Sequence, residues 1–417
     1  MNTIQNGQNK FHLILILGLL AAIGPFSIDM YLPAFPDIAK TLHTSVSSVM
    51  LSLSSFFIGI SVGQLVYGPL LERFGRKKPL YVGLIIYAVA SIACATTSSV
   101  NGLIAYRLFQ ALGGCVGMVA SRAMVRDLFD VKDNAKVFST LMLVVAVSPI
   151  IAPTLGGYIT AYLGWRYIFG VLIVVISLIL AGVYFLLPES KQPDTSFSLK
   201  PTAILSSFAT IIKHPQFAIY TFTGAVAYAG MYAYISGSPY VFMVLFKVSE
   251  KHYGWIFAVI AAGLIGASQC NNLLLKKYRS EQVMRYAIYI QSVIGIALAS
   301  TSLFGLQDLY LTIALIFGFL CCQGFIFPNA SALSMAPFGH NAGSASALMG
   351  FLQMSIGAFM SAMVSVLQNG TSLPMTGIMS FCSLSAALLL TFGSNHITNN
   401  ATKAMVAEEE VDMVSTL

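Results

Sequence analysis

Apolar runs of about 20 residues recur along the whole 417-residue chain, separated by short polar breaks rich in Gly and Pro. A helix needs about 20 apolar residues to cross the hydrocarbon of a bilayer, and runs of this length fit helices, not a barrel. The pattern predicts twelve spans, at 12 to 35, 46 to 70, 79 to 97, 101 to 121, 135 to 162, 166 to 187, 216 to 246, 252 to 275, 283 to 305, 309 to 333, 342 to 367 and 374 to 393. The expected fold class is an all-α membrane protein with twelve transmembrane helices. The longest polar connection, Pro188 to Pro215, divides the spans six and six. It sets expected units at 1-187, 188-215 and 216-394, with a tail at 395-417. Residues 201 to 212 (PTAILSSFATII) carry apolar positions at near-helical spacing, which reads either as a short helix on the membrane surface or as plain linker. The acidic tail, with Glu408, Glu409, Glu410 and Asp412, reads as disordered.

Composition agrees with a polytopic protein. The chain is 57% hydrophobic and 9% charged, with mean hydropathy +0.80, against roughly 25% charged residues in a soluble domain. The net charge of +7 is no nucleic-acid signature, because 17 of the 22 basic residues, from Lys10 to Lys403, fall in one set of alternate loops. Only Lys40, Arg166, Lys247 and Lys251 fall in the other set. The positive-inside rule then places both termini in the cytoplasm. A charged Lys10 before an apolar run resembles a secretory signal, but eleven further spans favour an uncleaved first helix. The six cysteines lie in or at the ends of spans without CxxC spacing and read as apolar filler. The six histidines lie at span ends or in loops, and neither metal-spaced ligands nor a phosphate-cradling loop is present. No cofactor and no enzymatic chemistry is expected.

Away from their ends, the spans carry two formal charges: Asp29 in the first and Arg107 in the fourth. A charge at mid-membrane costs at least ~2.5 to 3.5 kcal/mol, so such residues are usually kept for binding or proton movement. The alternative is a structural ion pair joining two helices. At ~1.5 Å per residue both residues lie roughly 10 Å below the outer surface, so they can meet if spans 1 and 4 are neighbours.

After span 2 comes Gly68-Pro69-Leu70-Leu71-Glu72-Arg73-Phe74-Gly75-Arg76-Lys77-Lys78. Gly68 would let two helices approach, Gly75 allows a tight turn, and the basic cluster suits an anionic leaflet. Simple positive-inside anchoring explains the basic residues equally simply. The stretch resembles the major facilitator signature G-x-L-x-D-R-x-G-R-[KR], with Glu72 where Asp is usual. That resemblance implies a conformational latch in which the acid faces the N-terminus of span 11 and is linked to Arg76 and to Asp127. Arg107 to Gly114 (RLFQALGG) is similar to the family's R-x-x-Q-G motif, with Ala111 for its first Gly. Pro149-Ile150-Ile151-Ala152-Pro153-Thr154-Leu155-Gly156-Gly157 is similar to the antiporter motif G-P-x-x-G-G, with Ala152 for a Gly. Two prolines bend a membrane helix and paired glycines let a neighbour pack close.

Five further stretches narrow the resemblance to drug:proton antiporters of the bicyclomycin/chloramphenicol-resistance type: Asp29 to Ala39, Gly164 to Phe169, Ser236 to Tyr240, Asn329 to Leu333 and Ala342 to Leu348. The resemblance covers about residues 12 to 393. It implies the major facilitator fold of two six-helix bundles, with spans 1, 4, 7 and 10 around a central cavity. It also implies proton-coupled export of small drug-like molecules or metabolites across a bacterial inner membrane, by a monomer whose partners are substrate, protons and membrane lipid. Import or facilitated diffusion on the same fold is the alternative. Asp29 would carry the proton and Arg107 would tune its affinity. Cavity candidates are Met30, Tyr31, Gln110, Tyr228, Met231, Tyr232, Ser236, Gln323 and Asn329, each of which ordinary helix packing also explains.

Overall fold

The computed structural model describes residues 7–129, 131–194, 201–338 and 342–393, and every regular element among them is helical. Eight helices come first: α1 (Gly7–Asp29), α2 (Phe35–Thr41), α3 (Val46–Phe74), α4 (Lys77–Thr96), α5 (Val100–Leu128), α6 (Val131–Leu163), α7 (Arg166–Phe185) and α8 (Pro201–Ile212). Six follow: α9 (Pro215–Pro239), α10 (Glu250–Leu274), α11 (Ser280–Leu303), α12 (Leu309–Met335), α13 (Ala342–Val366) and α14 (Leu373–Gly393). The segment 201 to 212 is thus a helix, packed on α9 and α13. The tail expected to be disordered lies outside the described residues.

Local chemistry sets the helix ends. The Ser45 hydroxyl accepts the Ser48 N–H at the start of α3, and the Asp308 carboxylate accepts the N–H groups of Tyr310 and Leu311 at the start of α12. Each cap satisfies donors that have no partner inside the helix. Gly75 stops α3 at φ +81°, a conformation that only glycine adopts freely.

Among the described residues, eleven helical segments are long and apolar enough to cross a membrane. The expected seventh span, α9, is a helix of 25 residues but is not one of the eleven. Its tyrosines, threonines and serines lower its hydropathy, yet 17 of its residues are buried. Surrounding protein, not lipid, accepts its polarity. Two other helices run further than expected: α3 reaches Phe74 and α5 reaches Leu128, so Glu72, Arg73, Arg122, Arg126 and Asp127 are helical. Asp29 and Arg107 are therefore not alone as charges on the spanning helices. The added ones sit in the last turns of α3 and α5.

Among the first helices, α5 packs against α1, α3 and α4, while α1 packs also on α6 and α4 on α7. Among the later ones, α9 packs on α12 and α13, and α12 on α10 and α11. The two groups meet along α3 with α13 and along α6 with α10. Hydroxyls line the first seam, with Ser54 against Ser361 at 2.8 Å and Ser61 against Ser355 at 2.7 Å. At the end of the molecule carrying the α1–α3 connection, the turn Leu32–Ala34 also touches α9 and α10. The opposite, linker end carries the α3–α4 turn and the chain between α7 and α9.

Close helix contacts depend on residues without side chains. A Cβ on Gly59 would sit 2.5 Å from the Leu108 carbonyl oxygen, whereas one on Gly170 would meet nothing within 4 Å. Gly59→Leu is expected to lower stability by about 1 to 3 kcal/mol through overpacking. Gly170→Ala is expected to be neutral or stabilising by up to ~1 kcal/mol. Thermal unfolding of the two purified variants in detergent checks both.

Candidate functional site

Arg107 sits in the interior of the first group, fully buried. Its Nη2 donates to the Ser27 carbonyl of α1 at 3.0 Å and its Nη1 to the Gln110 Oε1 at 2.6 Å. The guanidinium plane lies 4.1 Å from the Phe56 ring centre and 4.5 Å from that of Tyr31. Aromatic faces attract a desolvated cation by up to ~2 kcal/mol. Around this core, Gln110 donates to Ser91 at 2.7 Å, Tyr31 and Ser52 share a hydrogen bond at 2.8 Å, and Ser27 shares one with Tyr87. The charge is thus held by rings, a carbonyl and an amide. It bridges α1, α3 and α5.

Asp29 lies elsewhere. No ion pair joins it to Arg107, although α1 and α5 are neighbours as the depth argument required. Asp29 is the last residue of α1, whereas Arg107 bonds two residues earlier on that helix, to the Ser27 carbonyl, and its buried Nε is without a hydrogen-bond partner. Asp29 is 5% exposed, within electrostatic reach of the phenols of Tyr228 and Tyr234 on α9 and Tyr253 on α10. All three belong to the other group of helices. Tyr253 and the Ser238 hydroxyl of α9 are hydrogen-bonded at 2.8 Å. The expected single centre of acid and base is two centres: Arg107 inside one group, Asp29 between the groups.

The Pro/Gly stretch of α6 closes the seam beside Asp29. α6 stays continuous through Pro149 and Pro153. Ala152 is fully buried. A Cβ on Gly156 would fall 2.0 Å from the Met30 carbonyl oxygen, and one on Gly157 2.5 Å from that of Glu250 on α10. Backbone therefore touches backbone where α1, α6 and α10 converge. Any side chain there would force the seam apart.

The remaining cavity candidates do not share one surface in this conformer. Met30, Tyr31 and Gln110 are buried within the first group. Gln323 donates to the Ala227 carbonyl, and Asn329 to the Asn271 side chain at 2.7 Å, so both tie α12 to neighbouring helices. Ser236 donates to the Ser361 carbonyl at 3.4 Å. Tyr232 crosses the α3–α13 seam, with its ring against Phe57 at 4.7 Å and its hydroxyl on the Met354 sulfur at 3.2 Å. Tyr228 and Met231 are half-buried, and Tyr228 packs on Phe327.

At the linker end Arg76 is 3% exposed and binds two acids: Asp127 through Nε at 2.8 Å and Glu72 through Nη1 at 3.0 Å. Burial alone would lower its pKa, but these two carboxylates outweigh it and hold the pKa above the usual value. Sequence reasoning missed the other half of this network, which comes from the chain after α7. Glu189 accepts the N–H groups of Arg76 at 2.7 Å and Lys77 at 3.0 Å, capping α4; Ser190 donates to Asp127 at 2.9 Å; Lys191 pairs with Glu72. A carboxylate at a helix N-terminus is favoured by the helix dipole. Arg73 has partners of its own. Glu72 pairs with Lys191 and Arg76. One expectation changes: a Cβ on Gly68 would meet nothing within 4 Å, so this glycine brings no second helix close.

A family model described as Major Facilitator Superfamily matches residues 17–362. The chain belongs to the Major Facilitator Superfamily. A bicyclomycin resistance protein homolog of Haemophilus influenzae is 32% identical, covering 92% of this chain and 96% of that protein. A chloramphenicol resistance protein of Pseudomonas aeruginosa is 29% identical, covering 89% and 87%. The solved structure of a D-xylose-proton symporter superposes with TM-score 0.71 at 15% identity, over 91% of this chain and 97% of that one, which establishes likeness of fold. This facilitator is a multi-pass membrane transporter of small molecules, not an enzyme.

Other conspicuous stretches of the facilitator hold its frame. In 164 to 169, the Trp165 N–H donates to Asp37 at 3.3 Å and Arg166 to the Thr97 carbonyl at 3.0 Å, tying α2, α4 and α7 together. Tyr234 and Tyr253 were not anticipated beside Asp29. The sequence signal for Tyr234 was the run of five tyrosines in span 7; Tyr253, the single tyrosine of span 8, had none.

Arg107→Lys keeps the charge but loses the planar contact with two rings and one hydrogen-bonding direction. It is expected to lower stability by about 2 kcal/mol, read by thermal unfolding in detergent. Arg76→Ala leaves Glu72 and Asp127 without their shared cation and is expected to cost about 2 to 3 kcal/mol by the same measurement. Gly68→Ala should leave the unfolding temperature unchanged.

Proposed function

We propose that this transporter exports small drug-like molecules from the bacterial cytoplasm in exchange for protons, and that Asp29 carries the proton. The observation that carries the reading is a buried carboxyl, without a counter-ion among the described residues, at the junction of the two groups of helices. A charged carboxylate is far costlier to enclose there than a neutral one. The residue also ends α1, where the partial charge of the helix disfavours an anion. Closure of the seam formed by Met30, Gly156 and Gly157 is therefore linked to an occupied proton site. The names of the relatives, which refer to bicyclomycin, chloramphenicol and multidrug resistance, support drugs as the cargo.

In this reading the units 1-187 and 216-394 rock against each other in the inner membrane, as a monomer among lipids, with both termini cytoplasmic by the charge bias of the loops. The conformer described here is closed at the α1–α3 end, which is then the outer end. Asp29 loses its proton toward the cytoplasm, substrate binds, and reopening outward lets a new proton displace the cargo. Arg107 acts as a positioning residue: it anchors the end of α1 through the Ser27 carbonyl and so sets where Asp29 meets the tyrosines.

Asp29→Asn removes the titrating group while preserving size. In proteoliposomes with an imposed pH gradient, it is expected to reduce proton-driven chloramphenicol export at least 100-fold while leaving the protein folded. Export that continues at the wild-type rate removes Asp29 from the coupling role.

A further inference from the structure

Where α6 and α10 meet at the outer end, Lys251, in the first turn of α10, reaches across the seam onto α6. Its Nζ donates to the Tyr162 hydroxyl at 2.8 Å, and lies 4.1 Å from the centre of that ring and 5.6 Å from the centre of the Tyr158 ring. The two rings, one helical turn apart, are stacked with centres 6.4 Å apart and 14° between their planes. They offer the ammonium a paired aromatic surface. Lys251 has no ion-pair partner among the described residues, and its neighbours Ser249 and His252 are hydrogen-bonded to each other at 2.8 Å. The charge is therefore held by tyrosines that belong to the other group of helices.

The contacts beside it have no direction. Gly157 fits against the Glu250 carbonyl and Gly254 against Thr154, so closely that a Cβ on either would lie within 2.8 Å of the opposite backbone. Such contacts give proximity without a bond that must be broken, and Lys251 adds one. Arg107 uses the same cation-on-ring chemistry in permanent form, because it is fully buried and would be stranded if its helices parted. Tyr158 and Tyr162, by contrast, are 41% and 70% exposed, so water can take up the ammonium when the seam opens. We infer that Lys251, Tyr158 and Tyr162 form the releasable clasp of the outer gate, with Lys251 as the positioning residue that sets how often this end opens. A contact made in one conformer and lost in the other shifts their ratio by its own free energy. The inference rests on the rocking of the two units in the export reading, but not on the cargo or on Asp29.

Amide hydrogen exchange of the purified full-length protein in detergent, without substrate or proton gradient, tests it. Lys251→Met removes the cation at similar length. It is expected to speed exchange about five-fold at 155 to 163 and 250 to 258. It is also expected to slow exchange at the linker ends of α3 and α13, which come together as the outer end parts. Tyr162→Phe keeps the ring and loses the hydrogen bond, so it should give a smaller change of the same pattern; it carries the test if the first variant does not fold. Lys251→Arg, whose guanidinium stacks on rings, should match the wild type. Faster exchange at the outer ends with the linker ends unchanged is local loosening of a structural contact and overturns the clasp. Exchange unchanged at both ends overturns it too, as does an Arg variant that behaves like the Met variant. The expected pattern in a protein that exports no chloramphenicol upholds the clasp and overturns the cargo assignment instead.

Discussion

Enclosing the Asp29 carboxyl where α1 meets the second group of helices, within electrostatic reach of three tyrosines and with no ion-pair partner among the described residues, is the constraint on which the arrangement turns. A structural acid would be paired. Arg107 was the obvious partner, but its charge is consumed by the Ser27 carbonyl, Gln110 and two aromatic faces. In the proposed cycle these two charges divide the work: Arg107 holds helices, and Asp29 changes state. Glycines at 156 and 157 bring α6 against Met30 and Glu250, so the seam beside Asp29 is closed by backbone contacts that a small displacement would break.

The linker end is organised differently. There Arg76, Glu72 and Asp127 form one paired cluster, to which the chain after α7 adds Glu189 on the start of α4, Ser190 on Asp127 and Lys191 on Glu72. A buried arginine between two acids makes a rigid corner, because removing any member strands the others. The α3–α4 turn, the end of α5 and the first residues after α7 thus move as one piece. Flexibility is left to the seams, and rigidity to this corner.

Much of the fold was legible because the bilayer imposes one length and one polarity on every span. The exception, α9, hid for the same reason: hydropathy measures contact with lipid, and α9 is largely enclosed by protein. The resemblance to the facilitator signature pointed to the corner of Glu72, Arg76 and Asp127, whose ion pairs the structure contains. What failed was direction. Sequence gives depth along a helix but not which way a side chain faces, so Asp29 and Arg107 looked like a pair, and Gln110, Gln323 and Asn329 looked like cavity lining when they bridge helices. Lys191 and Glu189 were read as linker because their partners are more than one hundred residues away.

The central claim is that Asp29 alone exchanges its proton against substrate, without ion pairing to Arg107. The most direct test is the number of protons released when chloramphenicol is added to purified, weakly buffered protein in detergent. About one proton per bound molecule is predicted for the wild type and none for Asp29→Asn. Undiminished release from Asp29→Asn would contradict the account.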